Sequence, residues 1–237
     1  WSSHLPYKNG KKVCEAGNKI FCVVQNGIFY FDKDDNSTNK LTKQDGLSAI
    51  EITCLNYHED SKQLILGYKN GQIDILNENL EITNLTDVHR TSSVIGSKAI
   101  TNISFLEDIA YLSTDFGVVV LDILNHEIKE TYRAIGPNGE EGIIKNVIID
   151  PFQNFIYVHS EFGLGKAVIE NLNLLNFGNW EYLRDSIGEY QNTFDHYTFY
   201  NEKLYGGKSR KGIYYLDETD SLFYKSTYNV LSWSPIY

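Results

Sequence analysis

The stretch QNGIFYFD, residues 25–32, joins a polar turn and a glycine to a run of apolar and aromatic residues. Similar stretches return as KNGQIDIL (69–76), DFGVVVLD (115–122), EFGLGKAV (161–168) and RKGIYYLD (210–217). Their glycines, Gly27, Gly71, Gly117, Gly163 and Gly212, follow one another in steps of 44, 46, 46 and 49 residues. A period of this length indicates a repeat array or a propeller.

A second apolar run precedes each glycine turn: KIFCVV, QLILGY, IAYLST, FIYVHS and KLYGGK. In the first four units, apolar residues fall seven and five places before the glycine. These pairs are Ile20 and Cys22, Leu64 and Leu66, Ala110 and Leu112, and Ile156 and Val158. Alternation with a period of two predicts a strand with one buried face. The two runs and the turn between them therefore predict a hairpin.

Another candidate strand comes before each hairpin, in KKVCEA, IEITCLNY, ITNISFL, IIKNVIID and TFDHYTFY, and a less regular segment follows it. Four short strands with their turns fill one period, so each repeat predicts one four-stranded antiparallel blade. Blades that are apolar on both faces bury them by stacking around an axis. We predict an all-β propeller of about five blades, a single domain over 1–237 with units near 12–48, 49–98, 99–142, 143–190 and 191–229.

Closure of the ring has two interpretations. The N-terminal WSSHLPY could supply an outer strand that closes the last blade, or the chain could be an excerpt of a larger ring. The final LSWSPIY resembles the opening strand of a further blade, which favours the excerpt.

Composition argues against two classes of protein, nucleic-acid binders and proteins with a membrane-spanning helix. The net charge of −10 leaves no chain-wide basic footprint for nucleic acid. The longest apolar runs fall far short of the ~20 residues of a membrane helix, so no membrane span is predicted. The chain has no Met, so Trp1 is not a translation start; a removed signal peptide or trimming would explain this.

The three cysteines, Cys14, Cys22 and Cys54, do not have the spacing of a zinc knuckle or of a disulfide framework. Cys22 aligns with Leu66, Leu112 and Val158, which predicts packing between blades. Cys14 could lie opposite Cys22 across a hairpin, but we expect reduced thiols.

Several blocks carry a family resemblance. LTKQDGLSAIEITCLNY (41–57) followed by KQLILGYKNGQIDIL (62–76) resembles the two-component-regulator propeller repeat. WSSHLPY, LTKQDGLS, AYLSTDFGVVVLDI and NLNLLNFGNWEYL together resemble, more narrowly, the N-terminal propellers of the PorZ family. Proteins of that family are surface components of the bacterial type IX secretion system. The resemblance covers nearly the whole chain, in order.

The resemblance implies a binding scaffold and not an enzyme, without a cofactor. It also implies export to the periplasm or cell surface, association with the outer membrane, and a role in presenting anionic lipopolysaccharide to the sortase of the secretion system. The alternative is the periplasmic ectodomain of a hybrid two-component regulator, in which the same repeat recognises an oligosaccharide. A propeller glycosidase is a third hypothesis.

GGKSRKG (206–212) is a locally basic turn in an acidic chain. Lys208, Arg210 and Lys211 are therefore the candidate residues for an anionic headgroup or phosphate. A solvated charged turn is the simpler interpretation. His58 and His196, near the ends of predicted innermost strands, are weaker ligand candidates.

Catalytic and metal motifs are incomplete. Ser113, Asp115 and Gly117 resemble an Asp-box, but Val120 replaces its aromatic residue, so a hairpin turn is predicted. DKDDNSTN (32–39) has the first ligand positions of an EF-hand without its later Gly and Glu. Neither H-E-x-x-H nor G-x-S-x-G occurs. We predict no catalytic residues and no metal site.

Overall fold

The structure is a computed structural model that describes residues 9–170, 173–183, 194–210, 212–217 and 222–225. Within these residues, twenty strands form five antiparallel sheets of four strands, and each sheet keeps the order of the chain. Two compact units divide the chain. Of the described residues, the first unit contains those up to Asp115 together with Val120–Lys129, and the second contains Phe116–Val119 together with those from Glu130 onward. The predicted all-β class and the four-stranded antiparallel sheet are confirmed.

The strand bounds are as follows. The first sheet contains β1 (Lys12–Ala16), β2 (Lys19–Val24), β3 (Gly27–Asp32) and β4 (Thr38–Leu41). The second contains β5 (Ile52–His58), β6 (Gln63–Tyr68), β7 (Ile73–Leu76) and β8 (Ile82–Leu85). The third contains β9 (Ile100–Leu106), β10 (Ile109–Thr114), β11 (Gly117–Asp122) and β12 (Glu127–Tyr132). The fourth contains β13 (Ile144–Asp150), β14 (Phe155–Ser160), β15 (Gly163–Val168) and β16 (Glu181–Tyr182). The fifth contains β17 (His196–Tyr200), β18 (Lys203–Lys208), β19 (Gly212–Asp217) and β20 (Leu222–Lys225).

The glycine-marked turns join the second and third strands of each sheet, as the repeat predicts. In the first hairpin, however, the left-handed residue is Asn26, with φ of 71°, and not Gly27. Val24 pairs directly with Gly27 there, so Gln25 and Asn26 form a two-residue turn. Asparagine tolerates this backbone conformation better than most residues with a side chain.

The apolar residues seven and five places before the glycine were predicted to lie on a buried face. This prediction is confirmed in the second sheet and is wrong in the first. Leu64 and Leu66 are buried in one cluster with Phe21 and Val23 of β2. Ile20 and Cys22, on the other face of β2, are half-buried. The face of the second sheet that holds Leu64 and Leu66 packs against the first sheet. Among the described residues, no sheet comes before the first sheet in the chain, so the face with Ile20 and Cys22 has no preceding sheet to cover it.

All three cysteines are free. Cys14 pairs with Phe21, and Val13 pairs with Cys22. Because neighbouring residues of a strand point to opposite faces, the thiols of Cys14 and Cys22 lie on opposite faces of the sheet. This register excludes a bridge between them.

The DGLS segment, residues 45–48, anchors the second sheet. Thr42 caps a short 3₁₀ helix (Lys43–Asp45) in a capping box with Asp45, and Gly46 ends it with φ of 111°. The chain then places Ser48 against Asp74 of β7, where the backbone N–H of Ser48 donates to the carboxylate at 2.8 Å. The motif that carries the family resemblance therefore has a structural role.

A β-bulge interrupts the pairing near the start of the first strand in three sheets. The extra residues are Thr53, Thr101 and Lys145. Bulges redirect side chains at the ends of strands.

Short helices lie in the connections, where the sequence predicted none. They are the 3₁₀ helix at Lys43–Asp45, an α-helical turn at Asp87–Arg90 and a 3₁₀ helix at Phe177–Asn179. The last lies in the NLNLLNFGNW block, where Trp180 is buried and its indole N–H donates to the Leu174 carbonyl at 3.0 Å. No helix among the described residues has the length and apolar character needed to cross a membrane.

Candidate functional site

The basic turn predicted to bind anions connects β18 and β19. Lys208 is half-buried at the end of β18, and Arg210 is exposed in the turn with φ of 63°. Lys211 lies outside the described residues. The backbone N–H of Ser209 donates to the Asp195 carboxylate at 2.6 Å, so the turn is fastened to the residue that precedes β17.

Asp195 is an acidic group within this basic turn. Its backbone N–H donates to the Gly207 carbonyl at 2.9 Å, which places it beside Lys208 across the strand pair. Hydrogen bonds from Ser209 lower the pKa of Asp195, and the positive charges of His196 and Lys208 lower it further. Asp195 is therefore ionised at neutral pH and offsets part of the local positive charge.

Lys145 adds a cation that sequence analysis missed. The corresponding bulge residues of the second and third sheets are threonines. The hydroxyl of Thr53 donates to the Gly67 and Ile100 carbonyls, and that of Thr101 donates to the Ser113 carbonyl. In the fourth sheet the bulge residue is Lys145, whose side chain is exposed. An exposed ammonium thus stands where the second and third sheets have a hydroxyl that is bonded within the protein. This end of the fourth sheet therefore differs chemically from the same end of those two sheets.

His159 lies buried beside Lys145. It pairs with Asn146 in β13, it is 1% exposed, and its ring meets the Tyr197 ring edge-on at 4.8 Å. Within the described residues its Nε2 has no hydrogen-bond partner. Burial lowers the pKa of His159 to about 4, and the charges of Lys145 and His196 act in the same direction, against Asp195. The imidazole is therefore neutral at pH 7.

The buried imidazole predicts a specific loss of stability in acid. The unfolded chain binds the proton near the ordinary pKa of ~6.5, whereas the folded chain binds it only near 4. Stability therefore falls as the pH drops from the first value to the second. Between about pH 7 and about pH 4.5, we expect the wild type to lose roughly 2 kcal/mol more than His159→Leu. Urea unfolding at both pH values tests this, and parallel losses in the two proteins would contradict it.

The two histidines singled out from the sequence have different surroundings. His58, at the end of β5, is buried, with Nδ1 2.8 Å from the Ser61 hydroxyl and Nε2 2.8 Å from the Glu107 carbonyl. Both ring nitrogens are thus occupied, and His58 has a structural role. His196 is exposed at the start of β17, next to Asp195.

We call Lys145, His196, Lys208 and Arg210 the basic rim. They lie at the starting ends of β13 and β17 and at the adjoining turn. Asn146 links the two strands, because its side-chain amide donates to the Tyr197 carbonyl at 3.1 Å. Ammonium and guanidinium groups at one end of two linked sheets can form charge-assisted hydrogen bonds with a carboxylate or phosphate.

Two carboxylates of another loop are engaged within the protein. In the DKDDNSTN loop, Asp32 lies 3.3 Å from the Lys19 ammonium, and the Asn18 amide donates to Asp34. In the described ranges, no group of three or more His, Cys, Asp and Glu side chains is arranged to hold a metal ion.

Some residues of the basic rim could be predicted from the sequence. Lys208 and Arg210 stand out because the turn is locally basic. Lys145 could have been found by aligning the first strands, since it falls where Thr53 and Thr101 fall. His159 gave no signal, because its alignment with Val23, Gly67 and Ser113 reads as an ordinary strand position.

Residues 20–181 match the family model of the PorZ N-terminal β-propeller domain of the type IX secretion system. No curated protein sequence matches the chain significantly.

Similar solved structures are propellers or contain them. PorZ of Porphyromonas gingivalis, a surface component of the type IX secretion system, is 21% identical with a TM-score of 0.79 over 94% of this chain. The extracellular domain of the hybrid two-component system BT4673 from B. thetaiotaomicron is 14% identical, with a TM-score of 0.64 over 84% of this chain and 26% of its own. The Cps50 (Swd1) β-propeller domain from Myceliophthora thermophila is 12% identical, with a TM-score of 0.63 over 92% of this chain and 72% of its own.

The family match confirms the predicted β-propeller fold, and the five sheets of the described residues are consistent with about five blades. The chain spans 29% of the length of the PorZ structure.

Proposed function

Because the chain belongs to the family of PorZ N-terminal β-propeller domains of the type IX secretion system, we propose that it is a non-catalytic binding scaffold of that system. We propose further that it is exported, acts in the periplasm or at the cell surface in association with the outer membrane, and helps to present anionic lipopolysaccharide to the sortase. The family match supports the first part of this proposal, and the basic rim supports the second.

The basic rim is the observation that carries the ligand part of the proposal. The chain has a net charge of −10, so most of its surface repels an anionic glycolipid. A local cluster of cations provides the site where such a ligand meets attraction. Phosphate groups accept charge-assisted hydrogen bonds from lysine and arginine. Lys208, Arg210 and Lys211 are the proposed ligand-binding residues of the turn, and Lys145 and His196 extend the site.

Neutralising the turn tests this function. We expect Lys208→Gln combined with Arg210→Gln to weaken binding to purified anionic lipopolysaccharide by about tenfold, since each charge-assisted hydrogen bond contributes roughly 1 kcal/mol or more. Surface plasmon resonance at two salt concentrations measures both the loss and its salt dependence.

A matched control removes the same number of positive charges elsewhere. Lys62→Gln with Lys69→Gln eliminates two exposed lysines that form ion pairs with Glu78 and Glu51. If this control weakens binding as much as the turn variant does, the interaction is non-specific and the basic rim is not the site.

The regulator hypothesis predicts a different ligand. A glycan-sensing ectodomain would bind an uncharged oligosaccharide and would be insensitive to the turn variant. Including neutral oligosaccharides in the same binding assay separates the two functions.

A further inference from the structure

The connection between β15 and β16 is longer than its counterparts and exposes apolar side chains. It runs through residues 169–180, whereas the third and fourth strands of the other sheets are joined by residues 33–37, 77–81, 123–126 and 218–221. Leu175 is 50% exposed and Phe177 is 45% exposed. The strand that follows, β16, is only two residues long. The fourth sheet therefore has this segment in place of most of its outer strand, so the segment is a feature of one sheet and not of the repeat.

The segment is fastened so that these two side chains point outward. Leu174 and Trp180 are buried on its inner side, and the Trp180 indole N–H donates to the Leu174 carbonyl at 3.0 Å. The side-chain oxygen of Asn173 accepts from the backbone N–H of Leu175 at 3.0 Å. The exposure of Leu175 and Phe177 is therefore built into the fold. Exposed apolar side chains that are grouped together are typical of surfaces that contact another protein.

The loop between β12 and β13 extends this surface. The Phe177 ring lies against the backbone of Gly139, where an added Cβ would be 2.9 Å from the ring. The same loop ends at Ile143, which is 41% exposed and whose backbone N–H donates to the Glu161 carboxylate at 2.9 Å. Among the described residues, three of the nine exposed large hydrophobic side chains lie on this loop and on the segment packed against it. The apolar exposure of the molecule is thus concentrated here.

A carboxylate borders these apolar side chains. Glu140 is exposed, accepts from the backbone N–H and the side-chain amide of Asn138, both at 2.8 Å, and forms no ion pair within the described residues. The hydrogen bonds from Asn138 lower the pKa of Glu140, so it is ionised at neutral pH. Glu141, the next residue, pairs with Arg133 at 2.8 Å. The negative charge of Glu140, next to the glycine on which Phe177 packs, is therefore open to a partner's cation.

We call Ile143, Leu175, Phe177 and Glu140 the acidic apolar surface. We propose that it docks a protein segment whose apolar side chains are flanked by arginine or lysine. Leu175 and Phe177 provide the apolar contact on which such binding depends. Glu140 accepts charge-assisted hydrogen bonds from the partner's cation. Complementary charge also fixes the position of the segment along the surface.

Other occupants fit less well. Glu140 repels an anionic membrane surface or an anionic glycolipid. In a two-fold dimer each copy presents the same surface to the other, so a second copy of this chain would bring a second Glu140 and no cation. This inference does not rest on the proposed binding of lipopolysaccharide, which uses the basic rim. Lys145, a residue of that rim, lies beyond Ile143 along the chain from Glu140.

Selection of peptides tests the acidic apolar surface. A phage-displayed library of random short peptides is selected on the immobilised full chain, and the enriched peptides are synthesised with a fluorescent label. We expect them to carry apolar residues next to arginine or lysine. Fluorescence polarisation should show binding about tenfold weaker to Leu175→Ser and several-fold weaker to Glu140→Gln. Because both side chains are exposed, both variants are expected to keep the urea midpoint of the wild type.

Phe152→Ser and Glu127→Gln are the matched controls. Phe152, in the turn between β13 and β14, is 69% exposed at the opposite end of the fourth sheet. Glu127 is exposed at the start of β12, at the other end of that strand from the loop. We expect both variants to bind the enriched peptides like the wild type.

Three results would overturn the proposal: no enriched peptide, enriched peptides that lack cationic residues, or equal binding by the wild type and Leu175→Ser. Equal weakening by Phe152→Ser would also contradict it, because binding would then follow exposed apolar area anywhere on the chain. Dimerisation of the wild type that Leu175→Ser abolishes, seen by analytical ultracentrifugation, would identify a second copy as the occupant instead. The variant of Lys208 and Arg210 should leave peptide binding unchanged, so failure of one proposal does not imply failure of the other.

Discussion

Replacing Asp74 with alanine is expected to lower the free energy of unfolding by about 4 kcal/mol. Asp74 is fully buried, and its carboxylate accepts from the backbone N–H and hydroxyl of Ser48, from the Tyr68 hydroxyl and from the Asn84 amide. Burial, and next the Asp74 charge, raise the pKa of Tyr68, so its phenol remains protonated and donates. Without the carboxylate, these donors lose their acceptor inside the protein, and the DGLS segment loses its anchor. Urea unfolding measures the change.

Tyr68→Phe is the control for this network. It removes one donor and leaves the carboxylate bonded to Ser48 and Asn84, so we expect a loss of about 1 kcal/mol. In the double variant the orphaned phenol is also gone, so the combined loss should be smaller than the sum of the two. If Asp74→Ala costs no more than Tyr68→Phe, the carboxylate does not organise the second sheet.

Replacing Gly117 with alanine is also expected to cost about 4 kcal/mol, from two causes that act together. Gly117 has φ of 141°, a conformation that strains a residue with a side chain. An added Cβ would lie 2.2 Å from the Tyr132 carbonyl oxygen and 3.0 Å from the Cα of Arg133. Both contacts are with backbone, which cannot rotate away, so β11 and β12 would have to separate. Thermal or urea unfolding of the full chain tests this prediction.

Gly96→Ala separates strain from steric overlap. Gly96 also has a left-handed φ, 108°, but a Cβ there would meet nothing within 4 Å. We expect this variant to lose about 1 kcal/mol from backbone strain alone. Similar losses at Gly96 and Gly117 would show that the contact with Tyr132 is relieved by a small movement of the strands.

Most of the strands were predictable because their signals are local. KIFCVV, QLILGY and FIYVHS have the bounds of β2, β6 and β14, and the glycine turns fall where the hairpins turn. Alternation and turn preference depend on residues a few positions apart, so they are visible in one sequence. The short helix at Asp87–Arg90 was missed because four residues carry no periodic pattern.

The candidate site was predictable in part. Lys208 and Arg210 were identified because the turn is basic in an acidic chain. The position of Asp195 beside them depends on which strands become neighbours, and the exposure of Lys145 at the start of β13 depends on a bulge. Neither follows from local composition.

The amino-acid sequence by itself determined the repeating four-stranded antiparallel unit, because side-chain alternation and left-handed turn residues act over a few bonds. Tertiary structure alone decided that Asp74 meets Ser48, 26 residues away, that the face with Ile20 and Cys22 stays half-buried, and that His159 is enclosed beside Tyr197. Each of these depends on how one sheet is set against the next. That arrangement is a property of surfaces assembled from distant segments, and no single segment encodes it.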